Sequence, residues 1–262
     1  ILKGLSPNPK DRHADMNALL ALLGGAESRQ RRRRAMLGGL VLAGAVGAMV
    51  GYRAWDEARR VAECEAEASV IGELWNEPAR AKLQAELDRS EFAYATSVGP
   101  KVFPILDDRA AVWRSAALSS CRREHVEGRW DRDLRAKSLW CLTQGRQELG
   151  AFLGQFEEAS NEVIRTSIES AASLRDSALC IDENYLALSP PPPSGADADA
   201  VTDLYRRLVE AEYQQAAGHH EAALAPVQAI IKEASDLHWP PLVAAARARE
   251  GSILAMTSDY AA

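Results

Sequence analysis

The sequence predicts an all-α protein: a single transmembrane helix, then a helical bundle, then the start of a helical repeat array. Three observations carry this reading. Residues 35–52 are uncharged and follow a dense arginine run, Arg29 and Arg31 to Arg34. Residues 56–188 are rich in Ala, Leu, Glu and Arg, poor in β-branched runs and broken by few turn signals, a composition that favours packed helices. Beyond a run of prolines, two turn signals recur forty residues apart, as in a repeated helix pair. The expected organisation is a stub over residues 1–24, a basic juxtamembrane linker over 25–34 and a transmembrane helix over 35–55. A disulfide-stapled helical region over 56–188, a Pro-rich linker over 189–199 and repeats over 200–262 follow.

In the stub, Ser6-Pro7-Asn8-Pro9 reads as a turn, and Pro9 keeps Asn8 out of helix. Residues 14–23 place Met16, Leu19, Leu20 and Leu23 at amphipathic helical spacing. So short a helix needs a surface to pack on, and a chain that starts at Ile1 rather than Met fits a truncated beginning.

The pattern Leu5-Ser6-Pro7-x-Pro9-x-Asp11-Arg12, then Met16 and Leu19-Leu20-x-Leu22-Leu23, resembles the end of a protein Ser/Thr kinase domain. The similarity covers about twenty residues. In that family the arginine matched by Arg12 forms a buried ion pair with the Glu of an upstream Ala-Pro-Glu motif, so the resemblance implies a structural role for Arg12. His13 stands where the family commonly has Pro or an aromatic residue. The Glu partner, the glycine-rich loop, the ATP-binding Lys, the His-Arg-Asp loop and the Asp-Phe-Gly motif are not in this sequence. Phosphoryl transfer with ATP and Mg would therefore belong to a catalytic part upstream, and this stretch itself is expected to use no cofactor. Followed by basic residues and one span, the stub is similar to the layout of bacterial receptor-type kinases. An unrelated amphipathic leader is the alternative.

Eighteen helical residues rise about 27 Å, slightly short of the ~30 Å hydrocarbon core. Arg34 and Arg53 can snorkel, and Tyr52 and Trp55 suit the interfacial belt. Before the span there are 8 Lys and Arg against 3 Asp and Glu, and after it 23 against 34. The positive-inside rule then puts the N-terminus in the cytoplasm. In a bacterial inner membrane the remainder would be periplasmic, and its acidic balance excludes nucleic acid as a bulk-charge partner. A cleaved signal at Ala43-Gly44-Ala45 would leave an apolar region of only about eight residues, and a twin-arginine signal is a fainter alternative. Folded-looking sequence upstream weakens both. Ala35, Gly39, Ala43, Gly47 and Gly51 recur every fourth residue. Such a stripe admits a homodimer through the span, although Gly and Ala are frequent in membrane helices generally.

Helices are expected over residues 55–75, 78–94, 106–127, 131–158 and from 161, the last capped by Asn161. Gly99-Pro100 and Pro104 are read as breaks before the third, and a short segment over 180–188 closes the region. The cysteines are Cys64, Cys121, Cys141 and Cys180, with no C-x-x-C pair, so disulfides on an oxidising face fit better than metal. Three pairings are possible. Cys64–Cys121 with Cys141–Cys180 is favoured because it ties the membrane-proximal helix to the third and the tail to the fourth. With reversed topology the four would be ordinary thiols. Cys64-Glu65, Trp75, Cys121, Arg129, Leu139-x-Cys141-Leu142 and Cys180 also resemble an ectodomain found beside tetratricopeptide repeats in such kinases, where they are scaffold positions. Trp75, Trp113, Trp130 and Trp140 read as core.

Ser189-Pro190-Pro191-Pro192-Pro193-Ser194-Gly195 is a stiff spacer that marks a domain boundary. Helices are then expected over 201–217, to about 235, and from the turn at Pro240-Pro241. Gly218, Ala223 and Leu224 occupy places equivalent to Ser258-Asp259-Tyr260. The pattern is similar to tetratricopeptide repeats, with His220 where Tyr is usual and a spacing nearer the longer kinesin-light-chain type. This implies a protein or peptide partner on the repeats. Only one and a half repeats are present, and about three are needed for stability, so this end too is expected to be truncated. His219-His220 would diverge on a helix and find no third ligand. No metal site, nucleophile elbow or phosphate loop stands out, and His13, His125 and His238 are isolated. Two readings follow. One is the membrane-anchored sensor and interaction portion of a receptor-type Ser/Thr kinase, without its catalytic core. The other is a membrane-tethered repeat scaffold unrelated to kinases.

Overall fold

The computed structural model describes residues 2–257, apart from the side chains of residues 2, 4, 18, 22–30 and 158, and among these residues the fold is all-α. The chain divides into two units, with the boundary after Arg59.

In the first unit, 3-10 turns cover Leu2–Leu5 and Pro9–Asp11. Asn8 caps the second, its side chain accepting the Lys10 N–H at 3.2 Å. Helix α1 (Met16–Ser69) follows. It does not stop at Gly24-Gly25, and residues 25–34, expected as a linker, are helical. Each glycine costs a helix only about 1 kcal/mol, and the Ala, Gln and Arg residues that follow are strong helix formers. Inside α1 an 18-residue window has a mean hydropathy of 1.8 with none of it buried. Among the described residues this is the one helix long and apolar enough to cross a membrane.

The second unit takes in the last turns of α1, a 3-10 turn at Val70–Glu73, and helices α2 (Glu77–Arg89), α3 (Gly99–His125), α4 (Arg132–Gly154), α5 (Asn161–Ser173) and α6 (Glu183–Leu188). Helices α7 (Ala198–Ala216), α8 (His220–Asp236) and α9 (Pro240–Thr257) complete it. Several boundaries differ from expectation. Helix α2 ends at Arg89, before Tyr94, because Ser90 turns extended and its hydroxyl takes the Phe92 N–H at 3.1 Å. Helix α3 starts at Gly99 and contains Pro104 instead of following it. The lost N–H and ring clash oppose this, but Val98, Val102 and Leu106 on the same turns are fully buried and offset the cost. Helix α4 is capped by Asp131 and yields to a 3-10 turn after Gly154. Ser160, not Asn161, caps α5, accepting the Val163 N–H at 3.3 Å. Helix α7 opens at Ala198, ahead of Val201.

Two apolar clusters organise this unit. The larger centres on Leu87, Val98, Leu106, Leu142, Phe152 and Ile164, and the smaller on Leu204, Leu208, Val227, Ile230, Leu242 and Ile253. Helix α7 serves both: Leu204, Leu208 and Ala211 face the smaller, whereas Tyr213 joins the larger against Phe152, with ring centroids 6.1 Å apart. Trp140 on α4 meets Tyr205 edge-on at 5.1 Å, and Gln147 donates to the Thr202 carbonyl at 3.1 Å. The prolines thus turn the chain back onto α4 within one unit. Trp75, Trp113 and Trp130 are buried, each ring N–H bonded at 2.8 Å, to Asp107, the Leu142 carbonyl and Glu183 respectively. At Asp107, burial raises the carboxyl pKa, but the bonds from Trp75 and Arg80 outweigh it and hold the group below its ordinary range.

Helices α7 and α8 share one stop signal. Gly218 (φ 83°) ends α7 and His238 (φ 53°) ends α8. After each, the next residue bonds back five positions, His219 to Gln214 at 3.0 Å and Trp239 to Ala234 at 3.1 Å, the hydrogen bond of a Schellman stop.

The structure pairs Cys64 with Cys121 and Cys141 with Cys180. Enclosing 57 and 39 residues of sequence separation, each bridge is expected to stabilise the fold by ~2–4 kcal/mol. Iodoacetamide without reductant should leave the intact mass unchanged, and reduction should expose four thiols and lower the melting temperature. Alkylation of all four before reduction would refute the pairing.

Candidate functional site

Helix α4 carries Arg135 into the interior, where the residue is 4% exposed. Its Nη2 donates to both carboxylate oxygens of Glu67 at 2.5 and 2.6 Å, its Nη1 to Ser120 Oγ at 2.8 Å, and its Nε lies 3.5 Å from Glu124. Ser120 and Ser138 share a 2.6 Å hydrogen bond beside it. Glu67 stands three residues after Cys64, and Glu124 three after Cys121. That spacing sets each carboxylate on the helix face that carries the bridge. The guanidinium therefore joins the end of α1 to α3 and α4.

Next to Glu67 opens a groove of about 770 Å³. Val70 and Leu74 form one side, Leu142, Gly150 and Gly154 of α4 the floor, and Tyr213 of α7 the far wall. On α4 the lining residues 147, 150, 151 and 154, with 155 in the 3-10 turn just after it, follow in steps of three and one, one helical face. Arg146 at the rim is paired with Glu73 at 2.9 Å, and Arg206 with Asp203 at 2.6 Å and with Glu210. Burial, then the negative charges of Glu148 and Glu212, raise the Tyr213 pKa far above the ordinary phenol value. The tyrosine is a neutral hydroxyl at physiological pH. The lining is concave and largely apolar.

The residues singled out by sequence fall elsewhere. Arg12 is exposed, and its Nε donates to the Ser6 carbonyl at 2.8 Å. Arg31, Arg32, Arg33 and Arg34 are helical and exposed, and Arg29 is helical in its backbone. Gly39, Ala43, Gly47 and Gly51 are exposed on α1, and a Cβ at any of these glycines would meet nothing within 4 Å. In the C-terminal helices Gly218 occupies the left-handed stop, Ala223 is fully buried and Leu224 partly so. Tyr260 lies outside the described residues. Among those described, no three His, Cys, Asp or Glu side chains converge to hold a metal. Sequence reasoning missed both Arg135 and the groove. The signal for Arg135 was an arginine three and seven residues before Ser138 and Leu142, on the apolar stripe of α4.

Comparison with protein-family models, with curated proteins and with solved structures finds no match.

Removing the buried guanidinium while leaving Glu67 and Glu124 in place should destabilise strongly. Arg135→Leu is expected to cost about 3 kcal/mol, roughly 6–12 °C in melting temperature for a unit of this size. Arg135→Lys should restore little, because a single ammonium cannot serve Glu67, Ser120 and Glu124 from three separate nitrogens as the guanidinium does. Thermal unfolding followed by circular dichroism checks this; a shift under about 1 kcal/mol would show that the network is dispensable.

Proposed function

We propose that this chain is the membrane-anchored sensor and protein-interaction portion of a receptor-type Ser/Thr protein kinase whose catalytic domain precedes it. The observation that carries the reading is one unburied apolar helical window, preceded by five arginines and followed by a helical body closed by two disulfides. Positive-inside logic then puts the N-terminus in the cytoplasm of a bacterial cell and the body in the periplasm, where disulfides persist. The kinase element rests on the Leu5 to Leu23 resemblance. The exposed Arg12 guanidinium fits it, since the acidic partner which that arginine has in the kinase family would lie upstream. Phosphoryl transfer, ATP and Mg belong to that upstream part. The C-terminal helices α7 to α9 offer a surface for a protein or peptide, with helix stops that repeat every twenty residues at Gly218 and His238.

The coding sequence upstream of Ile1 is the direct test. It should encode, in frame, a His-Arg-Asp loop with its Asn and an Asp-Phe-Gly motif. If neither is there, the kinase reading fails and a membrane-tethered repeat scaffold remains.

Signalling by such a protein is proposed to use a homodimer through the Gly39, Ala43, Gly47 and Gly51 face, where no Cβ would crowd the helix at the glycines. A bacterial two-hybrid assay of the span should lose most of its signal in Gly47→Leu. An unchanged signal would count against this dimer.

A further inference from the structure

The arginine run ahead of the apolar window is helical, and that decides where its charges point. Residues 25–34 belong to α1, with no break between the run and the window that begins at Ala35. Successive residues of an α-helix turn by about 100°. Arg31, Arg32, Arg33 and Arg34 therefore leave the axis in four directions and circle the helix almost completely. All four are exposed, and among the described residues none is paired with a carboxylate. In the helical body, by contrast, Arg80, Arg135, Arg146, Arg175, Arg207 and Arg249 each lie against one. Between Asp15 and Asp56 the sequence has a single acidic residue, Glu27, so one carboxylate stands against the five arginines of the run.

Depth follows from the length of the window. Eighteen uncharged residues rise about 27 Å, against a hydrocarbon core of ~30 Å. The apolar stretch has no length to spare, so Arg34 is drawn to the edge of the hydrocarbon. Arg31 lies about 4.5 Å farther out along the axis. That is still inside a headgroup layer of about 5–8 Å on each side. At the other end Tyr52 and Trp55 have ring centroids 6.1 Å apart, and the Arg59 guanidinium lies 5.7 Å from the Trp55 centroid. Such an aromatic anchor favours the opposite interface and opposes sliding of the helix.

Charges that circle a helix cannot be served from one side. A protein surface or a nucleic-acid strand docked on α1 would reach two neighbouring guanidiniums and leave the others facing away. A lipid shell surrounds the helix, its phosphates lie at the depth of the arginines, and guanidinium pairs well with phosphate. We propose that Arg31 to Arg34 form a collar that gathers anionic phospholipid headgroups on all sides of α1. The proposal rests on the membrane reading of residues 35–52 and is independent of the kinase assignment.

The test uses the full chain in phosphatidylcholine vesicles carrying one-fifth phosphatidylglycerol. Trace spin-labelled forms of either lipid are read by electron paramagnetic resonance. The immobilised fraction of the phosphatidylglycerol label should exceed that of the phosphatidylcholine label about threefold or more, and molar salt should narrow the gap. Each single variant, from Arg31→Gln to Arg34→Gln, should remove a similar share of the preference, since glutamine keeps the helix. Glutamine at all four positions should remove most of it, and lysine at all four should keep most of it, because an ammonium also binds phosphate as a point charge. If one single variant abolishes the preference and the other three leave it intact, the site is a one-sided pocket and the collar falls. If millimolar inorganic phosphate at constant ionic strength removes the preference, the arginines take a soluble anion, which overturns the proposal too. A chain that floats with pure phosphatidylcholine vesicles but shows no preference overturns the collar and leaves the span standing. A chain that fails to float with them overturns the span and the collar together.

Discussion

A guanidinium almost wholly removed from water needs partners, and Arg135, whose two Nη atoms donate to Glu67 and Ser120 while Nε keeps only the 3.5 Å ion pair with Glu124, is the constraint around which the helical body is arranged. Its partners come from the end of α1 and from α3, while Arg135 itself rides on α4. The desolvation cost of such a cluster largely cancels its Coulomb gain, so its net contribution to stability is modest compared with apolar residues of equal volume. What it supplies is register. We infer that sliding α4 by one turn would withdraw the guanidinium from Glu67, Ser120 and Glu124 together. The Cys64–Cys121 bridge lies one turn from the same carboxylates and restricts the same pair of helices covalently. Because Glu67 is held, Val70 and Leu74 just beyond it are held too, and the groove acquires a fixed side.

Helix α7 extends this frame to the C-terminal helices. Helix α7 leans on α4 through Trp140–Tyr205, Gln147–Thr202 and Phe152–Tyr213, so the two apolar clusters share one helix. One consequence is chemical. Tyr213 enters the larger core beside two acidic residues and keeps its proton, so the wall of the groove that α7 supplies is neutral as well as apolar.

Charge, composition and cysteine count made much of this legible. The arginine run ahead of an uncharged stretch marked the apolar window, and the order of the cysteines favoured the pairing that forms. Helix type was readable almost throughout, because the sequence between residues 56 and 188 offers so few β-branched runs. Boundaries were less readable where a tertiary force overrode a local one. Pro104 is a helix breaker by backbone chemistry, yet burial of Val102 and Leu106 keeps it inside α3. His238 adopts a left-handed conformation that a sequence reader would assign to glycine. The groove was invisible for a different reason. Gln147 looks like an ordinary solvent-facing residue until α7 packs on α4, where its amide meets the Thr202 carbonyl.

Helix α4 contains glycine at 145, 150 and 154, and each costs a helix roughly 1 kcal/mol relative to alanine. Packing accounts for the first. A Cβ at Gly145 would lie 3.2 Å from Ser177 Oγ and 3.6 Å from the Trp113 ring, so the segment leading to Cys180 could not approach a larger residue. It does not account for the others. At Gly150 a Cβ would make ordinary contacts of 3.9 and 4.0 Å with Leu74, and at Gly154 it would meet nothing. Gly154 has right-handed backbone, so it is not there to supply a left-handed helix stop. Two glycines whose absent side chains serve no neighbour, on the face that also buries an unpaired acceptor and an unpaired donor, are a cost the fold has no reason to carry by itself.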